Sequence, residues 1–562
     1  MFKKLDVLAI ASLALICICN ACLAKTPTEY DHAAVVSAHP DATKVGVNIL
    51  KKGGNAIDAA VAVQFALAVV YPNAGNIGGG GFIVYRDRKG NANTLDYREK
   101  APSKASKDMY LDKKGDAITD KSLFGALASG VPGSVDGMIQ AHKKYGKLDW
   151  KADLQPAIDL AEKGFAITAQ QAGELNRLKS NFLKYNTKPV AFVKKQEWKA
   201  GDVLKQAELA KTLKLIRDKG RAGFYEGPVA AAIVNAMHHT QGIISEEDLK
   251  NYHSVWRKPV TGFYKDYKVI SMPPPSSGGI ALLTLLKQVS KYPLNRWGFQ
   301  SDSTAQLMVE AERRAYADRA SYLGDPDYFK VPGKALLDSN YINSRLSNLD
   351  FSKATPSSEV KPGTLPNYES EQTTHFSIVD SEGNAVSATT TLNGSYGSLV
   401  VVSGAGFILN NEMDDFSVKP GTPNVYGLVG GVANAIQPGK RMLSSMTPTI
   451  LERDGKLAMV VGTPGGSTII TSVFQSILNV FAFGKSMQEA VTAPRFHHQW
   501  LPDEVYVEDG ALTEKVRSDM TLKGYKIVPR GPMGRVDAIL VKPNGKLQTG
   551  ADPRGNDTGG GY

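Results

Sequence analysis

One threonine, Thr373, stands at a position where it could become a nucleophile. The residues before it, 354–372, are rich in Pro, Ser, Glu and Gly, and no apolar face can be drawn on them, which is typical of a flexible linker. From Thr373 onward the pattern changes to that of a strand. If the chain is cut before Thr373, the hydroxyl becomes a nucleophile and the new α-amine, with a pKa of about 7.7–8.0, becomes its base.

The strand that Thr373 opens is predicted to form a hairpin with residues 385–393, joined by a turn at 380–384. With that turn centred on Glu382, Thr373 and Thr391 are equally far from the centre and face each other. An apolar face is expected to pack into a core and consists of Phe376, Ile378, Val386, Ala388 and Leu392. The opposite face is polar and consists of Thr373, His375, Ser377, Ser387, Thr389 and Thr391. The alternative is an ordinary surface hairpin whose polar face is solvated.

A second stretch with chemical potential is Thr463-Pro-Gly-Gly-Ser467, between a predicted strand at 457–462 and a predicted helix at 468–481. Free backbone N–H groups at the N-terminus of a helix point toward one spot, at the positive end of the helix dipole. Such a spot can bind an anion, including the oxyanion that forms during acyl transfer. A plain turn is the alternative.

Three other motifs have weaker chemical interpretations. The glycine run 75–81 follows a helix and precedes a strand, which is the reverse of a dinucleotide-binding fingerprint. The adjacent His497 and His498 lack an acidic or histidine partner at helical spacing, so structural hydrogen bonds are expected rather than a metal site. Residues 406–416 end a strand in a cluster of amides and carboxylates, and residues 420–431 form a glycine-rich loop with an aromatic tip.

The elements that must position these residues alternate between helices and strands. Helices are expected at 41–52 and 55–70, and the second of these is apolar nearly all round, as in a buried central helix. Strands are expected at 82–86, 94–98 and 449–452. Residues 125–350 are expected to be mostly helical, with amphipathic runs at 204–216 and 304–321.

Composition favours a folded enzyme-sized protein. The 562 residues are 42% hydrophobic and include 54 glycines, which suits two to four domains or one large unit with insertions. The formal charge of +11 is spread among acidic residues without a Lys/Arg block, so nucleic acid is not an expected partner.

The N-terminus resembles a secretory signal peptide over residues 1–24. Lys3 and Lys4 precede an apolar run at 7–18, and Ala21-Cys-Leu-Ala24 is a suitable cleavage site. The run is shorter than the ~20 residues that span a bilayer, so a stable membrane anchor is not expected. A lipoprotein linked through Cys22 is the alternative. The three cysteines all lie in this leader, so cleavage after Ala24 would remove every thiol and exclude disulfides and cysteine catalysis. A periplasmic or secreted bacterial protein is expected.

Eight stretches in the same order along the chain resemble the γ-glutamyltranspeptidases, which belong to the N-terminal nucleophile hydrolases. Each is weak alone, but together they span nearly the whole mature chain. They are Gly53–Ala60, Gly78–Phe82, Asp96–Pro102, Thr373–Ser377, Asn410–Phe416, Leu443–Met446, Pro464–Ser467 and Ala493–Trp500.

The resemblance implies an α+β fold with four αββα layers. It also implies self-cleavage between Gln372 and Thr373, which would give a large fragment of residues 25–372 and a small catalytic fragment of residues 373–562, held together as a heterodimer. No cofactor and no metal are implied.

The resemblance also implies roles for individual residues. Thr373 would be the nucleophile and Thr391 the second threonine that hydrogen-bonds it. Gly465 and Gly466 would form the oxyanion hole. The substrate-binding residues would be Arg98 with Ser444 and Ser445 at the α-carboxylate, Asn393, Glu412 and Asp415 at the α-amine, and Tyr426 at the tip of a lid.

The implied activity is cleavage of the γ-glutamyl amide of glutathione and related γ-glutamyl compounds through an acyl-enzyme. Water would release glutamate, whereas acceptor amino acids or peptides would form new γ-glutamyl products. One alternative is a cephalosporin acylase on the same scaffold, which would need a less polar acyl pocket than Arg98 and Asp415 suggest. Another is a secreted binding protein without catalysis, which the presence of Thr373 and the glycines disfavours.

Overall fold

The hairpin that begins with residue 374 lies in one of two large antiparallel sheets. The computed structural model describes residues 28–361, 374–419 and 432–562, so Gln372, Thr373 and Tyr426 lie outside the described residues. In spatial order, the seven strands of the hairpin sheet are Thr558–Gly561, Ala34–Ser37, Thr374–Val379, Ala385–Thr391, Gly80–Arg86, Ala92–Asp96 and Val255–Arg257. Each neighbouring pair in this sheet is antiparallel.

The opposing sheet also has seven antiparallel strands. In spatial order they are Glu29–Tyr30, Leu547–Ala551, Asp537–Val541, Lys456–Gly462, Thr449–Arg453, Tyr267–Ser271 and Val260–Tyr264. Two small sheets lie outside this pair and consist of Phe496–His497, Val505–Val507 and Ile527–Pro529, and of Phe165–Ala166 with Val203–Leu204.

Helices cover the outer faces of both sheets. The N-terminal part of the chain contributes α-helices Pro40–Lys51, Ala56–Val70, Thr119–Leu123, Ser134–Tyr145, Trp150–Lys163, Ala169–Tyr185, Ala207–Lys219, Ala222–Tyr225, Gly227–His239 and Glu246–Lys250. The remaining α-helices are Gly278–Val289, Leu294–Trp297, Asp302–Tyr322, Gly333–Leu336, Ser339–Arg345, Thr468–Phe481, Met487–Thr492 and Glu514–Leu522. Short 3₁₀ turns occupy Ala126–Ala128, Glu412–Asp415 and Val432–Asn434.

Three apolar clusters separate the layers. One fills the space between the hairpin sheet and the first group of helices. Another lies between the opposing sheet and the helices that include Gly278–Val289 and Thr468–Phe481. A smaller cluster lies between the two sheets. The order helix, sheet, sheet, helix confirms the four-layer αββα fold.

The register predicted for the hairpin is confirmed. Thr374 pairs with Thr390 and Val379 with Ala385, so each pair is centred on Glu382. The predicted apolar face packs into the cluster under the first group of helices. The solvated alternative for the polar face is wrong, because this face is buried between the sheets: Ser377 Oγ donates to Asp537 O at 3.0 Å and Ser387 Oγ to Val461 O at 3.0 Å.

The helices that the sequence predicted lie close to their observed positions, but one of them differs in how its faces are buried. Every residue of Ala56–Val70 is buried, as its apolar pattern predicts, and Asn55 and Asp58 form a capping box at its start. Helix Asp302–Tyr322, in contrast, is not amphipathic: it is buried from Thr304 to its end and includes three arginines. Each of these buried arginines hydrogen-bonds a side chain from another segment of the chain, which hydrophobic periodicity cannot predict. The mostly helical region also contains five strands that were not predicted, at 165–166, 203–204, 255–257, 260–264 and 267–271.

Among residues 28–361, 374–419 and 432–562, no helix combines the length and the apolar character that crossing a bilayer requires.

Candidate active site

Thr391 ends the second strand of the hairpin, where the hairpin sheet meets a cluster of acidic side chains. It is fully buried, pairs with Gly80 of the next strand, and donates its hydroxyl to Glu412 Oε1 at 3.2 Å. The same hydroxyl accepts the backbone N–H of Asn393 at 2.7 Å. The register that pairs Thr374 with Thr390 is the one from which the facing of Thr373 and Thr391 was predicted. That last pair stays a prediction, because Thr373 lies outside the described residues.

Arg98 lies at the centre of the acidic cluster, two residues after strand Ala92–Asp96. Its guanidinium is completely buried and donates separate hydrogen bonds to Glu412 and to Asp415. It also donates to the carbonyls of Met442 and Leu443 at 3.3 and 3.1 Å, and lies 3.6 Å from a carboxylate oxygen of Glu99. The sequence motif around 96–102, the 3₁₀ turn 412–415 and the loop 442–445 therefore converge on one guanidinium.

This cluster has more acidic than basic groups. One arginine faces three buried carboxylates, those of Glu99, Glu412 and Asp415. Both carboxylate oxygens of Glu99, and Oε2 of Glu412, have no hydrogen-bond partner among the described residues. Burial, opposed in part by Arg98, raises the pKa of Glu99 to about 8. Burial and the neighbouring Glu99 also raise the pKa of Glu412 well above its ordinary value. With all three carboxylates ionised, the acidic groups would outnumber the single arginine by two charges.

Asn393 lies beside this cluster in a strained backbone conformation. Its φ of 65° is in the left-handed region, where a residue other than glycine is uncommon. Its Nδ2 donates to Asn411 O at 3.0 Å, while its Oδ1 is buried with no hydrogen-bond partner among the described residues. An unused acceptor next to an acidic cluster suits a ligand that carries an N–H donor.

Ser444 and Ser445 lie in the loop that supplies carbonyls to Arg98, but their hydroxyls contact other groups. Ser444 Oγ accepts the N–H of Met446 at 3.2 Å, and Ser445 Oγ accepts a hydrogen bond from the buried Arg319. Arg319 also donates to Ser277 Oγ at 2.7 Å, and the Ser277 hydroxyl donates in turn to Ser444 O at 2.7 Å. The loop is thereby tied to helix Asp302–Tyr322. Contact of the two serines with a substrate carboxylate stays a prediction.

The glycine turn before helix Thr468–Phe481 has the geometry of an anion site. Gly465 and Gly466 have φ values of 134° and 64°, which L side chains rarely adopt. A Cβ at Gly465 would also approach Gly534 Cα to 2.8 Å. Neither backbone N–H has an acceptor among the described residues. Both donors are therefore available at the positive end of a 14-residue helix.

A cavity of about 220 Å³ lies beside the glycine turn and extends to Asn393. Gly465 and Asn393 both line it, as do Tyr71, Asn73 and Arg535. Arg535 is held by Asp557, whose Oδ2 accepts from Nε at 2.9 Å, and by a hydrogen bond to the hydroxyl of Tyr71. The cavity thus has room for a small polar group beside Gly465, with a guanidinium in its wall.

The structure brings together most of the residues that the sequence singled out. Arg98, Thr391, Glu412 and Asp415 are joined by direct contacts, Asn393 is bonded to Thr391, and Gly465 shares a cavity with Asn393. The histidine pair forms structural hydrogen bonds, as expected: His497 Nδ1 contacts Thr471 Oγ1 at 2.9 Å and His498 Nδ1 accepts from Trp500 N at 3.0 Å.

Sequence reasoning missed three residues that shape the site. Glu99 directly follows Arg98 in the stretch Asp96–Pro102, and this adjacency could have indicated that it belongs to the site. Asn434 connects two parts of the site, since Nδ2 donates to Asp415 O at 2.6 Å and Oδ1 accepts from Leu443 N at 2.9 Å. The sequence did not indicate that Arg319 supports the site, because it lies in the run 304–321, which was predicted only to be amphipathic.

Comparisons with known proteins agree with this geometry. A family model described as gamma-glutamyltranspeptidase matches residues 42–562. A glutathione hydrolase proenzyme of Escherichia coli strain K12 is 48% identical over 533 residues, which are 94% of this chain and 92% of that relative.

Solved structures share the fold. A cephalosporin acylase from Bacillus halodurans has a TM-score of 0.85 at 27% identity, with 96% of this chain and 97% of that chain covered. A gamma-glutamyltranspeptidase from Helicobacter pylori has a TM-score of 0.57 at 46% identity, with 58% of this chain and 94% of that chain covered. Since the family model spans all but the first part of the chain and the E. coli relative matches over nearly the full length of both proteins, this chain belongs to the gamma-glutamyltranspeptidase family.

Proposed function

We propose that this protein is an exported, self-processing γ-glutamyltransferase and glutathione hydrolase. The observation that carries the proposal is the buried cluster of one arginine and three carboxylates beside Thr391. A γ-glutamyl group ends in a zwitterion, with an α-carboxylate and an α-ammonium on one carbon. Such a head brings an ammonium to the carboxylates and a carboxylate to Arg98, so both signs of charge in the cluster gain a partner.

Binding is proposed to exchange ion pairs rather than to create them. The substrate α-carboxylate takes the fork of Arg98, for which a planar guanidinium is suited. Glu412 and Asp415, now released from Arg98, accept hydrogen bonds from the α-ammonium together with Asn393 Oδ1. Ser444 and Ser445 assist at the carboxylate. The charged and polar groups of the site are already buried away from water. A substrate head that pairs with all of them is therefore favoured over one that leaves any of them unpaired.

The chemistry is proposed to be acyl transfer at Thr373. Once the head is fixed, the γ-carbonyl carbon lies within reach of the Thr373 hydroxyl. The new C–O bond forms as the hydroxyl proton passes to the Thr373 α-amine, and Thr391 orients the attacking oxygen. The N–H groups of Gly465 and Gly466 stabilise the oxyanion. The C–N bond then breaks, and the protonated α-amine returns its proton to the leaving amine.

The acyl-enzyme is proposed to react with either of two acceptors. Water regenerates Thr373 and yields glutamate, whereas the amine of an amino acid or a peptide yields a new γ-glutamyl compound. The cavity between Gly465 and Arg535 suits the carboxylate-bearing leaving group of glutathione and acceptors of the same kind. Tyr426, in the loop 420–431, is assigned as a lid over the acyl-enzyme. Tyr426→Ala should then shift the ratio of hydrolysis to transfer, and an unchanged ratio would remove this assignment.

Processing is proposed to precede activity. Cleavage between Gln372 and Thr373 would free the α-amine and leave fragments 25–372 and 373–562 as a heterodimer. The E. coli relative is named a proenzyme, which agrees with this order. Each sheet contains strands of both fragments, so the two would remain joined by backbone hydrogen bonds after the cut. The leader at 1–24 supports export to the periplasm or the medium, without a stable membrane anchor.

A cephalosporin acylase is the second candidate, because a protein of that name shares the fold across both chains. The buried charges of Arg98, Glu412 and Asp415 favour the γ-glutamyl reading, since an uncharged acyl group would leave them unmatched. The identity of 48% to a glutathione hydrolase, against 27% to the acylase, points the same way.

Release of the amine from a γ-glutamyl anilide tests the proposal directly. We expect rapid release by the processed protein, faster with an acceptor dipeptide, and none by Thr373→Ala, which should also stay a single chain on a denaturing gel. If the side chain of a cephalosporin is released but the amine of the anilide is not, the protein is a cephalosporin acylase and the proposal is wrong. Activity toward neither substrate would indicate a binding protein, and normal cleavage of Thr373→Ala would remove Thr373 as the nucleophile.

A further inference from the structure

Three helices that cover the hairpin sheet bring two aspartates and a histidine to one point. Asp58 lies in the first turn of Ala56–Val70, His142 in the last turn of Ser134–Tyr145, and Asp153 in the first turn of Trp150–Lys163. One ligand atom from each lies within 4.8 Å of the other two. The two aspartates are completely buried, and the histidine side chain is 17% exposed. The residues are far apart in sequence, which is why spacing gave no metal site.

Asp153 differs from the other two residues because its buried carboxylate lacks hydrogen-bond donors in the described part of the chain. Neither of its carboxylate oxygens has a hydrogen-bond partner among the described residues, although both are buried. Asp58 differs, because Oδ2 accepts from Asn55 N at 2.8 Å and Oδ1 accepts from Lys147 N and Leu148 N at 2.8 and 3.2 Å. A buried carboxylate without donors is costly unless a cation or a proton compensates it.

The distances suit a metal ion placed between the three side chains. Nε2 of His142 lies 3.6 Å from Asp153 Oδ2 and 3.8 Å from Asp58 Oδ1. Ligand atoms that bind Zn²⁺ tetrahedrally at about 2.0–2.2 Å are about 3.3–3.6 Å apart. The carbonyl oxygen of Leu148 accepts a hydrogen bond from the same nitrogen at 3.0 Å, and it would become a fourth ligand when a metal ion replaces that imidazole proton. Small side-chain movements are therefore enough to complete the coordination.

We propose that Asp58, His142 and Asp153 form a binding site for a divalent transition-metal cation of the Zn²⁺ type. One imidazole nitrogen with carboxylate and carbonyl oxygens is a donor set that such ions accept. This site goes beyond the proposed function and does not depend on it. We assign the ion a structural role. The helix that carries Asp58 is joined to the hairpin turn at its first residue, Ala56, whose N–H donates to Asp380 Oδ2 at 2.9 Å. The ion would thus hold three helix ends beneath the hairpin.

A proton is the competing occupant. Burial and the neighbouring Asp58 raise the pKa of Asp153 to about 9, so a proton could satisfy this carboxylate at neutral pH. The two occupants predict different results. A metal site saturates at one ion per protein and the ion raises the melting temperature, whereas a protonated aspartate shows neither effect and tolerates replacement by asparagine.

The test uses the untagged purified protein after removal of metals with a chelator and desalting. Zn²⁺ is titrated calorimetrically, and the melting temperature is measured with and without the ion. We expect one saturable site and a rise in melting temperature. Asp153→Asn and His142→Gln should each weaken binding at least 10-fold and abolish the thermal shift. Asp159→Asn is the matched control, because Asp159 lies on the same helix, exposed and paired with Lys163.

Three outcomes would overturn the proposal. One is the absence of a saturable site in the wild type. Another is Zn²⁺ binding that is as tight in Asp153→Asn and His142→Gln as in Asp159→Asn, which would place the ion elsewhere on the surface. The third is a melting temperature of Asp153→Asn at or above that of the Zn²⁺-saturated wild type, as expected if the occupant is a proton. Circular dichroism at 25 °C verifies that each variant is folded before binding is compared.

Discussion

Two buried charge clusters in this molecule have opposite electrostatic balance. Around Arg495, two arginines face two carboxylates: Arg495 donates to Asp552 at 2.6 Å, and Arg554 donates to Asp552 at 3.1 Å and to Glu508 at 2.8 Å. Around Arg98, one arginine faces three carboxylates. The balanced cluster ties the segments near 495, 508 and 552 together, whereas the unbalanced one has oxygens left without partners.

The direction of the pKa shifts follows this balance. Asp552 is buried, which raises its pKa, but Arg495 and Arg554 outweigh burial and the net pKa is lowered. Burial is also the largest influence on Glu99 and Glu412, and a single shared arginine does not outweigh it, so the pKa values of both are raised. The comparison teaches that buried charge alone does not mark a site; unmatched buried charge does.

The largest effect is expected from removing the key cation of the balanced cluster. Arg495→Ala leaves Asp552 buried without its main counter-charge, which costs about 3–5 kcal/mol of folding free energy. We expect a large fall in melting temperature, or loss of soluble protein, measured by thermal unfolding. Arg98→Ala in parallel should cost less stability, because Glu99 and Glu412, whose pKa values are already raised, can take up protons when their arginine is removed. Equal losses of stability in Arg495→Ala and Arg98→Ala would show that the two clusters do not differ in charge balance as described.

The hydroxyl of Thr391 is expected to have the next largest effect, and on rates rather than stability. Thr391→Val keeps the shape and strand propensity but removes the hydroxyl that bonds Glu412 and Asn393. Misplacing groups at a nucleophile can cost on the order of 100-fold in rate. We expect self-cleavage and turnover to slow by that order, while Thr391→Ser keeps most of both.

Thr389 provides the matched control for Thr391. It lies on the same buried face, two residues away, where its hydroxyl contacts His375 Nδ1 at 2.9 Å rather than the acidic cluster. Thr389→Val should lower stability without a comparable loss of rate. If Thr391→Val cleaves and turns over like the wild type, the hydroxyl has no role.

Arg98→Lys is expected to have a smaller effect, confined to substrate binding. Lysine preserves the charge of the cluster but not the two-pronged donor geometry, and a hydrogen bond to a charged group contributes about 1.5–3 kcal/mol. We therefore expect KM for γ-glutamyl donors to rise about 10- to 100-fold in steady-state assays, with the melting temperature little changed. An unchanged KM would mean that another residue holds the α-carboxylate.

The sequence predicted the fold, and which of several polar residues lie together, better than it predicted the electrostatic state of that cluster. Hairpin register follows from the turn position and the alternation of Phe376 and Ile378 with polar residues, and register is a local property. The surroundings of the polar face were missed because Ser377 bonds to Asp537 and Ser387 to Val461, partners more than 70 residues away. Such contacts leave no periodic signal in the sequence.

The same reason explains what was missed around Arg98. A motif placed Arg98 among acids, but the absence of partners for Glu99 could be established only from packing. Likewise, residues 304–321 were predicted to be amphipathic, whereas the helix is buried and its arginines bond to groups from other segments. Sequence reasoning identifies which charges are present, and tertiary structure determines which of them are matched.

The smallest expected effect, and the sharpest test of the comparison, is a pH-dependent change in stability. The folded-state pKa of Glu99 is about 8, above its ordinary value of 4.5. A raised carboxyl pKa means that the folded protein binds this proton more tightly than the unfolded chain does. The resulting stability is fully present below the unfolded pKa and is lost as pH rises from about 4.5 to about 8.

Glu99→Gln removes this titration and should therefore be more stable than the wild type at pH 8, by at least about 1.4 kcal/mol, the equivalent of one pKa unit. The difference should shrink toward pH 5. Asp552→Asn should behave in the opposite way, because the pKa of Asp552 is lowered: its contribution is present at neutral pH and is lost in acid. Melting temperatures of the three proteins at pH 5 and pH 8 separate the cases. If Glu99→Gln is less stable than the wild type at pH 8, the carboxylate of Glu99 is matched in the folded protein, and the Arg98 cluster is not short of a cation.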